Sequence, residues 1–207
     1  MDLIAVARLG LAPDVLELAL TFLRARRLLI YPTDTLYALG GRAMDSAAAA
    51  AVREAKGRGD DQPLPLVAAD VAQARSLVSA WPDAADLLAK RFWPGPLTLV
   101  LPAAAGVPEG VTSGTGTVAV RVPAAPVACE LAAGAGPLIS TSANRTGQRP
   151  PLSCAEAVEA VGAAAALALD AGPGRAQPST IVDLTAAAPR LARAGAIDWA
   201  QVRAVLG

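Results

Sequence analysis

Apolar residues recur at helical spacing over residues 13–26, where Val15, Leu16, Leu18, Ala19, Phe22 and Leu23 share a face behind an early proline. A short apolar run at 28–31 then predicts a strand stopped by Pro32. Ser46 is placed to cap a helix over 47–55, where alanine's high propensity decides the assignment. Further strands are expected at 64–68, 97–101, 118–122, 137–140, 167–169 and 181–184, and helices at 71–78, 83–91 and 197–206. Ser153 caps one more helix, running to Val161, with Glu156 completing a capping box. Helices alternating with strands in this way predict an α/β protein with helices covering a sheet. Five segments interrupt the alternation: 31–41, 56–65, 93–98, 140–147 and 178–180. They hold most of the Thr, Ser, Pro, Gly and basic residues, and loops on a rigid sheet are where sites are built.

Composition narrows the chemistry. The 207 residues fit one domain, 1–207, with 54% hydrophobic, 17% charged and 3% aromatic residues. Eighteen basic and eighteen acidic side chains balance, which argues against a dedicated nucleic-acid or membrane-surface binder but allows a local basic cleft. About a quarter of the residues are alanine, and Lys56 and Lys90 are the only lysines. The absence of histidine removes histidine-based triads and relays and the usual catalytic zinc sites. Cys129 and Cys154 stand alone, too few for structural zinc, and read as small core residues in a reducing compartment. No basic segment leads into an apolar stretch at the N-terminus, so no signal peptide is expected. Arg121 and Glu130 break the closest approach to the roughly 18 apolar residues of a membrane span, so the expectation is a cytoplasmic protein without a membrane partner.

Familiar nucleotide signatures fail. Nothing matches the phosphate loop Gly-x4-Gly-Lys-Ser/Thr, and the Gly114-Thr115-Gly116 match to a dinucleotide fingerprint leads into a β-branched strand where a helix is required. Four other clusters carry candidate chemistry. Lys56-Gly57-Arg58 sets a point charge and a guanidinium fork two residues apart, able to converge on a polyphosphate or simply to end a helix in solvent. Ser140-Thr141-Ser142-Ala143-Asn144 offers hydroxyl, amide and backbone donors at a strand end, for a ligand oxygen or for a turn. Thr33, Asp34 and Thr35 follow Pro32 at a sheet edge. Arg121 is a lone guanidinium in an apolar strand, to be paired with an internal acid such as Asp34 or Asp183, or with a ligand carboxylate.

Taken in order, the segments Tyr-Pro-Thr-Asp-Thr (31–35), Lys-Gly-Arg (56–58) with Pro63-Leu64, Pro-Gly-Pro-Leu-Thr (94–98), Thr-Val-Ala-Val-Arg-Val-Pro (117–123), Ser-Thr-Ser-Ala-Asn (140–144), Pro-Ser-Thr-Ile-Val-Asp (178–183) and Arg-Ala-Gly (193–195) resemble the YrdC family of threonylcarbamoyl-AMP synthases. The resemblance runs from about Leu28 to Gly195. It implies a single-domain twisted mixed sheet with flanking helices around a positively charged concave cleft. It also implies a reaction in which L-threonine, bicarbonate or CO2, and ATP give threonylcarbamoyl-AMP and pyrophosphate, with Mg2+ assisting. The product would feed N6-threonylcarbamoyladenosine formation in tRNA, through threonylcarbamoyl-transfer proteins and with a weak tRNA or double-stranded RNA contact.

Carried over by position, the resemblance gives Lys56 and Arg58 the ATP phosphates and the catalytic role, and Ser142 and Asn144 the nucleotide. Thr33 and Thr35 would line the ATP and amino-acid pockets, Arg121 would hold the threonine carboxylate, Ser140, Thr141 and Ser179 would lie around the junction, and Arg193 would contact ATP. Three departures stand out: Ala38 replaces a common Gly, Ala194 a common Pro, and Val67-Ala68-Ala69 lacks a histidine that many members direct at threonine. The alternative is a divergent paralogue that binds RNA or uses another carbamoyl-adenylate substrate, as in hydrogenase maturation. Neutral charge and few aromatics weigh against strong RNA binding.

Overall fold

The computed structural model describes residues 1–59, 61–174 and 177–207. In chain order the elements are β1 (Asp2–Ala5), α1 (Pro13–Arg24), β2 (Leu28–Pro32), β3 (Tyr37–Gly40), α2 (Ser46–Lys56), β4 (Leu66–Val67), α3 (Val71–Ser76), α4 (Asp83–Phe92), β5 (Leu97–Pro102) and α5 (Glu109–Thr112). There follow β6 (Thr117–Arg121), α6 (Pro126–Ala135), β7 (Leu138–Ile139), β8 (Thr141–Ser142), α7 (Cys154–Val161), β9 (Ala165–Asp170), β10 (Thr180–Asp183), β11 (Arg190–Arg193) and α8 (Trp199–Leu206). The expected mixed sheet is present in two hydrogen-bonded parts. A five-stranded sheet runs β1-β9-β2-β3-β8 and a six-stranded sheet runs β11-β10-β5-β6-β4-β7. Both mix parallel pairs, such as β2 with β9 and β4 with β6, with antiparallel ones, such as β2 with β3 and β5 with β6.

The chain passes between the two parts after β3, β7 and β9, most directly after β7. β7 pairs with β4 in the larger sheet, and two residues later β8 pairs with β3 in the smaller one. Ser140 sits at the crossing, its N–H donating to Pro65 O at 2.8 Å. Tyr31 Oη pins the crossing from the other side by donating to Ile139 O at 2.9 Å. Gly40 permits the approach, since a Cβ there would lie 1.7 Å from that same carbonyl oxygen. Burial drives the arrangement: β2 is buried up to Pro32, and the apolar β9 is buried through Leu169. One core cluster includes Ile30, Leu39, Val52, Leu66, Leu99 and Ile139, and a second includes Leu23, Leu29, Tyr31, Leu131, Leu138 and Leu167.

Several expectations need correcting. Asp45, not Ser46, caps α2, its Oδ1 accepting from Ala47 N at 2.9 Å. Ser153 caps α7 as expected, but Glu156 returns to Leu152 N at 2.6 Å instead of to the cap residue. The strand expected over 64–68 is confined to Leu66–Val67, because Pro63 and Pro65 supply no N–H to a ladder. Residues 37–40, assigned to a loop, form β3. α6 went unrecognised because nearly all of Pro126–Ala135 is apolar or small, leaving no polar face to reveal a period. The Gly114-Thr115-Gly116 turn leads into β6 and opens no helix, as expected. Cys154 is buried and Cys129 is half-buried.

Closeness at the sheet crossing has a measurable consequence. Tyr31→Phe should cost about 1 kcal/mol for one lost buried hydrogen bond. Gly40→Ala should cost about 3 kcal/mol, because the new methyl group must displace backbone. Urea denaturation of the two variants checks the order; an equal or reversed cost would contradict it.

Candidate functional site

A cavity of about 360 Å3 opens beside the crossing. Of the residues picked out by sequence, Thr33, Thr35, Arg58, Arg121, Ser140, Thr141, Ser142, Ser179 and Arg193 all line it. Strands bring them together: β2 and β3 present the 33–35 turn, β6 ends in Arg121, the β7–β8 crossing supplies 140–142, and β10 and β11 deliver Ser179 and Arg193. Thr98, Val67 and Pro150 complete much of the wall. Thr98 went unnamed as a site residue; its position in Pro-Gly-Pro-Leu-Thr was the available signal.

The 33–35 turn is internally wired. Thr33 Oγ1 donates to Leu36 O at 2.6 Å and accepts from the N–H groups of Thr35 and Leu36 at 3.2 and 3.1 Å. With its single proton so committed, it accepts from the Thr35 hydroxyl at 3.0 Å. Thr35 Oγ1 in turn accepts from Arg121 Nη2 at 3.2 Å. Arg121 is 6% exposed, and its Nη1 meets Asp34 Oδ1 at 2.9 Å. Of the two acids considered for it, Asp34 is therefore the partner, while Asp183 pairs with Arg190. Burial pulls the Arg121 guanidinium below its ordinary pKa, and the Asp34 charge opposes that pull.

The other guanidinium groups are held by main-chain oxygen. Arg193 Nη2 donates to Ser179 O and Oγ at 2.8 and 3.0 Å, and Ser179 Oγ shares a 2.9 Å bond with Thr98 Oγ1. Gly195 allows this packing, since a Cβ there would fall 2.4 Å from the Ser179 carbonyl carbon. Arg58 Nη2 donates to Pro63 O at 2.9 Å, and its buried Nε has no hydrogen-bond partner among the described residues. Both side chains lie below the usual arginine pKa, first through burial, then through a neighbouring guanidinium: Arg53 for Arg58, and Arg121 for Arg193. Among the described residues, three cations thus face one cavity whose lining contains no carboxylate. That is an anion site.

Lys56 and Asn144 are not on the cavity wall. Lys56 is 3% exposed and lies beneath the 142–144 loop, its Nζ donating to Ser142 O and Asn144 O. Asn144 Nδ2 clips the next turn through Arg145 O and Gln148 O at 2.9 and 2.8 Å, and its buried Oδ1 has no hydrogen-bond partner among the described residues. The lysine thus supports the hydroxyl-bearing loop from below, and its carbonyl accepts from Thr146 N at 2.8 Å. Arg53, missed by sequence reasoning, does the same for the loop carrying Arg58. It reaches Gly59 O, Gln62 O, Gly110 O and Ser113 Oγ from inside α2, where only an arginine inside an alanine-rich helix signalled it.

A larger cavity of about 650 Å3 lies behind the 33–35 turn and shares Thr33, Thr35 and Tyr37 with the first. Its walls are mostly proline, alanine and glycine, and Arg8 there is tied to Ala171 O and Pro173 O. Size alone does not make it the chemical site; the converging cations and hydroxyls belong to the smaller cavity. Among the described residues, no three or more Cys, Asp or Glu side chains are grouped to hold a metal, and no helix is long and apolar enough to cross a membrane.

Comparison with known proteins gives the family. The profile of the Sua5–YciO–YrdC family, described as "Telomere recombination", matches residues 21–195. The chain belongs to that family. A Mycobacterium tuberculosis relative is 41% identical over 186 residues, 89% of this chain and 86% of its own. The threonylcarbamoyl-AMP synthase of Pyrococcus abyssi is 39% identical over 194 residues, 93% of this chain and 57% of its own. The crystal structure of P. abyssi Sua5 complexed with L-threonine superposes with a TM-score of 0.95 at 37% identity, covering 100% of this chain and 61% of that one.

The buried lysine carries a pH signature. Burial, and secondarily Arg58, lower its pKa to about 8, against about 10.4 in an unfolded chain. Between these values the unfolded chain binds more protons, so this group adds stability as pH rises from 8 to about 10 and loses it as pH falls back. With Lys90 the only other lysine, wild type should gain on Lys56→Met across that window in denaturation experiments. Parallel stability curves would show that the ammonium is not desolvated.

Proposed function

We propose that this protein is an L-threonylcarbamoyladenylate synthase, joining L-threonine, bicarbonate or CO2, and ATP into threonylcarbamoyl-AMP with release of pyrophosphate. The observation that carries the reading is the cavity in which Arg58, Arg121 and Arg193 converge with hydroxyls and, among the described residues, no carboxylate. Both reactants, a carbamate and a triphosphate, are anions that repel each other. Fixed cations in a partly dehydrated site offset that repulsion and hold the reactants in line.

The threonine amine adds to CO2 and loses a proton, giving a carbamate. A carbamate oxygen then attacks the α-phosphorus, the bond from that phosphorus to the bridging oxygen breaks, and pyrophosphate leaves. No covalent enzyme intermediate is required, so a chain without histidine suffices. Arg58, Ser142 and Arg193 hold the nucleotide, with Lys56 and Asn144 supporting the loop that carries Ser142. Arg121 takes the threonine carboxylate, and Thr35, Thr141 and Ser179 surround the junction, with Thr33 and Ser140 at its edges. The described lining does not fit a resident Mg2+, since it offers no carboxylate; the ion enters with ATP as part of the substrate. The product is a mixed anhydride suited to attack by an amine, consistent with supply to tRNA N6-threonylcarbamoyladenosine formation by partner proteins in the cytoplasm.

The test is incubation with ATP, bicarbonate and threonine, with serine as control, monitoring pyrophosphate. Threonine-dependent release is expected. Arg58→Ala should lower kcat/KM for ATP by about 10²–10³. Arg121→Ala should raise the KM for threonine by at least about tenfold, as expected for loss of a charge-assisted bond of about 1.5–3 kcal/mol. Release that ignores threonine would overturn the reading.

A further inference from the structure

We propose that Asp34 is a positioning residue for the threonine carboxylate, fixing the Arg121 guanidinium from behind so that its remaining donors face the cavity. The inference rests on the reading above that Arg121 holds that carboxylate. Asp34 and Arg121 side chains are 8% and 7% exposed, and they meet at 2.9 Å through Oδ1 and Nη1. Nη2 is fixed separately by Thr35 Oγ1 at 3.2 Å. Two anchors on different nitrogens of a planar group set both its plane and its rotation. Of five N–H donors, two are then committed among the described residues, which leaves three.

The anchors lie on the correct sides. Arg121 lines the smaller, cationic cavity, whereas Asp34 lines the larger apolar one, so the ion pair passes through the partition between them. A carboxylate inside the cationic cavity would compete with the substrate; this one does not enter it. Among the described residues, the buried Asp34 Oδ2 has no hydrogen-bond partner. Replacing such a pair whole by apolar groups often costs a fold little, although each charge depends on the other once both are buried. What the pair does supply is the aim of Arg121.

The experiment is steady-state pyrophosphate release by the full chain with Asp34→Ala, Asp34→Asn, Arg121→Ala and the Asp34→Ala/Arg121→Ala double variant. Asp34→Ala should raise the KM for threonine by about tenfold, while kcat and the KM for ATP change by less than about threefold. Asp34→Asn keeps an acceptor but no charge and should fall between wild type and Asp34→Ala. In the Arg121→Ala background, Asp34→Ala should add less than about twofold, because it acts through the missing guanidinium. A full-sized effect of Asp34→Ala without Arg121, or a loss shared equally by kcat and both KM values, overturns the proposal. A raised threonine KM in Arg121→Ala with none in Asp34→Ala sinks this inference alone. No change in Arg121→Ala sinks the carboxylate reading and this inference with it. If Asp34→Ala does not fold by circular dichroism, the threonine KM of Asp34→Asn decides: a rise supports the assignment and none rejects it.

Discussion

Removing a cation from water is costly unless protein oxygens replace its hydration shell, and the replacement determines what charge remains. In this protein the replacing oxygens are largely main-chain carbonyls. Lys56 is solvated by Ser142 O and Asn144 O, Arg58 by Pro63 O and Arg193 by Ser179 O. A carbonyl dipole holds a cation without cancelling it. The cavity therefore keeps net positive charge, and each carbonyl so used also fixes the loop to which it belongs. Charge retention and loop geometry arise from the same contacts.

The exception is Arg121, whose partner is a carboxylate. It is also the most completely buried of the three cavity guanidinium groups, and it donates to the side chains of Asp34 and Thr35. Deep burial needs the stronger counter-charge, and the partition between the two cavities lets that charge stand outside the anion site. Sheet architecture makes this available: the 33–35 turn belongs to the smaller sheet and Arg121 to the larger, so their contact is made across the two parts.

Much of the site was legible in sequence because its groups are chemically conspicuous. A guanidinium in an apolar strand, hydroxyls after a strand end and two cations around a glycine each break a local pattern, and the breaks fall at the cavity. What sequence did not reveal was direction. Lys56 and Arg58 look equivalent on paper, yet Lys56 is the last residue of α2 and points under the loop, while Arg58 lies past Gly57 in the left-handed region and turns to the cavity. The fold was less legible where contrast vanishes. α6 has no polar face, and β11 has no buried residue to mark it as a strand. β3 was hidden inside a stretch dominated by turn residues, and its pairing with β2 is a non-local fact.

Gly195 shows how little side chain this aiming can require. The return of Arg193 toward Ser179 depends on a main-chain approach that leaves no room for even a methyl group. The neighbouring position already carries Ala194 where the resemblance leads one to expect proline. Evolutionary drift at these two adjacent sites should therefore be lopsided, with position 194 free to wander and position 195 held to the smallest residue, its constraint written in empty space.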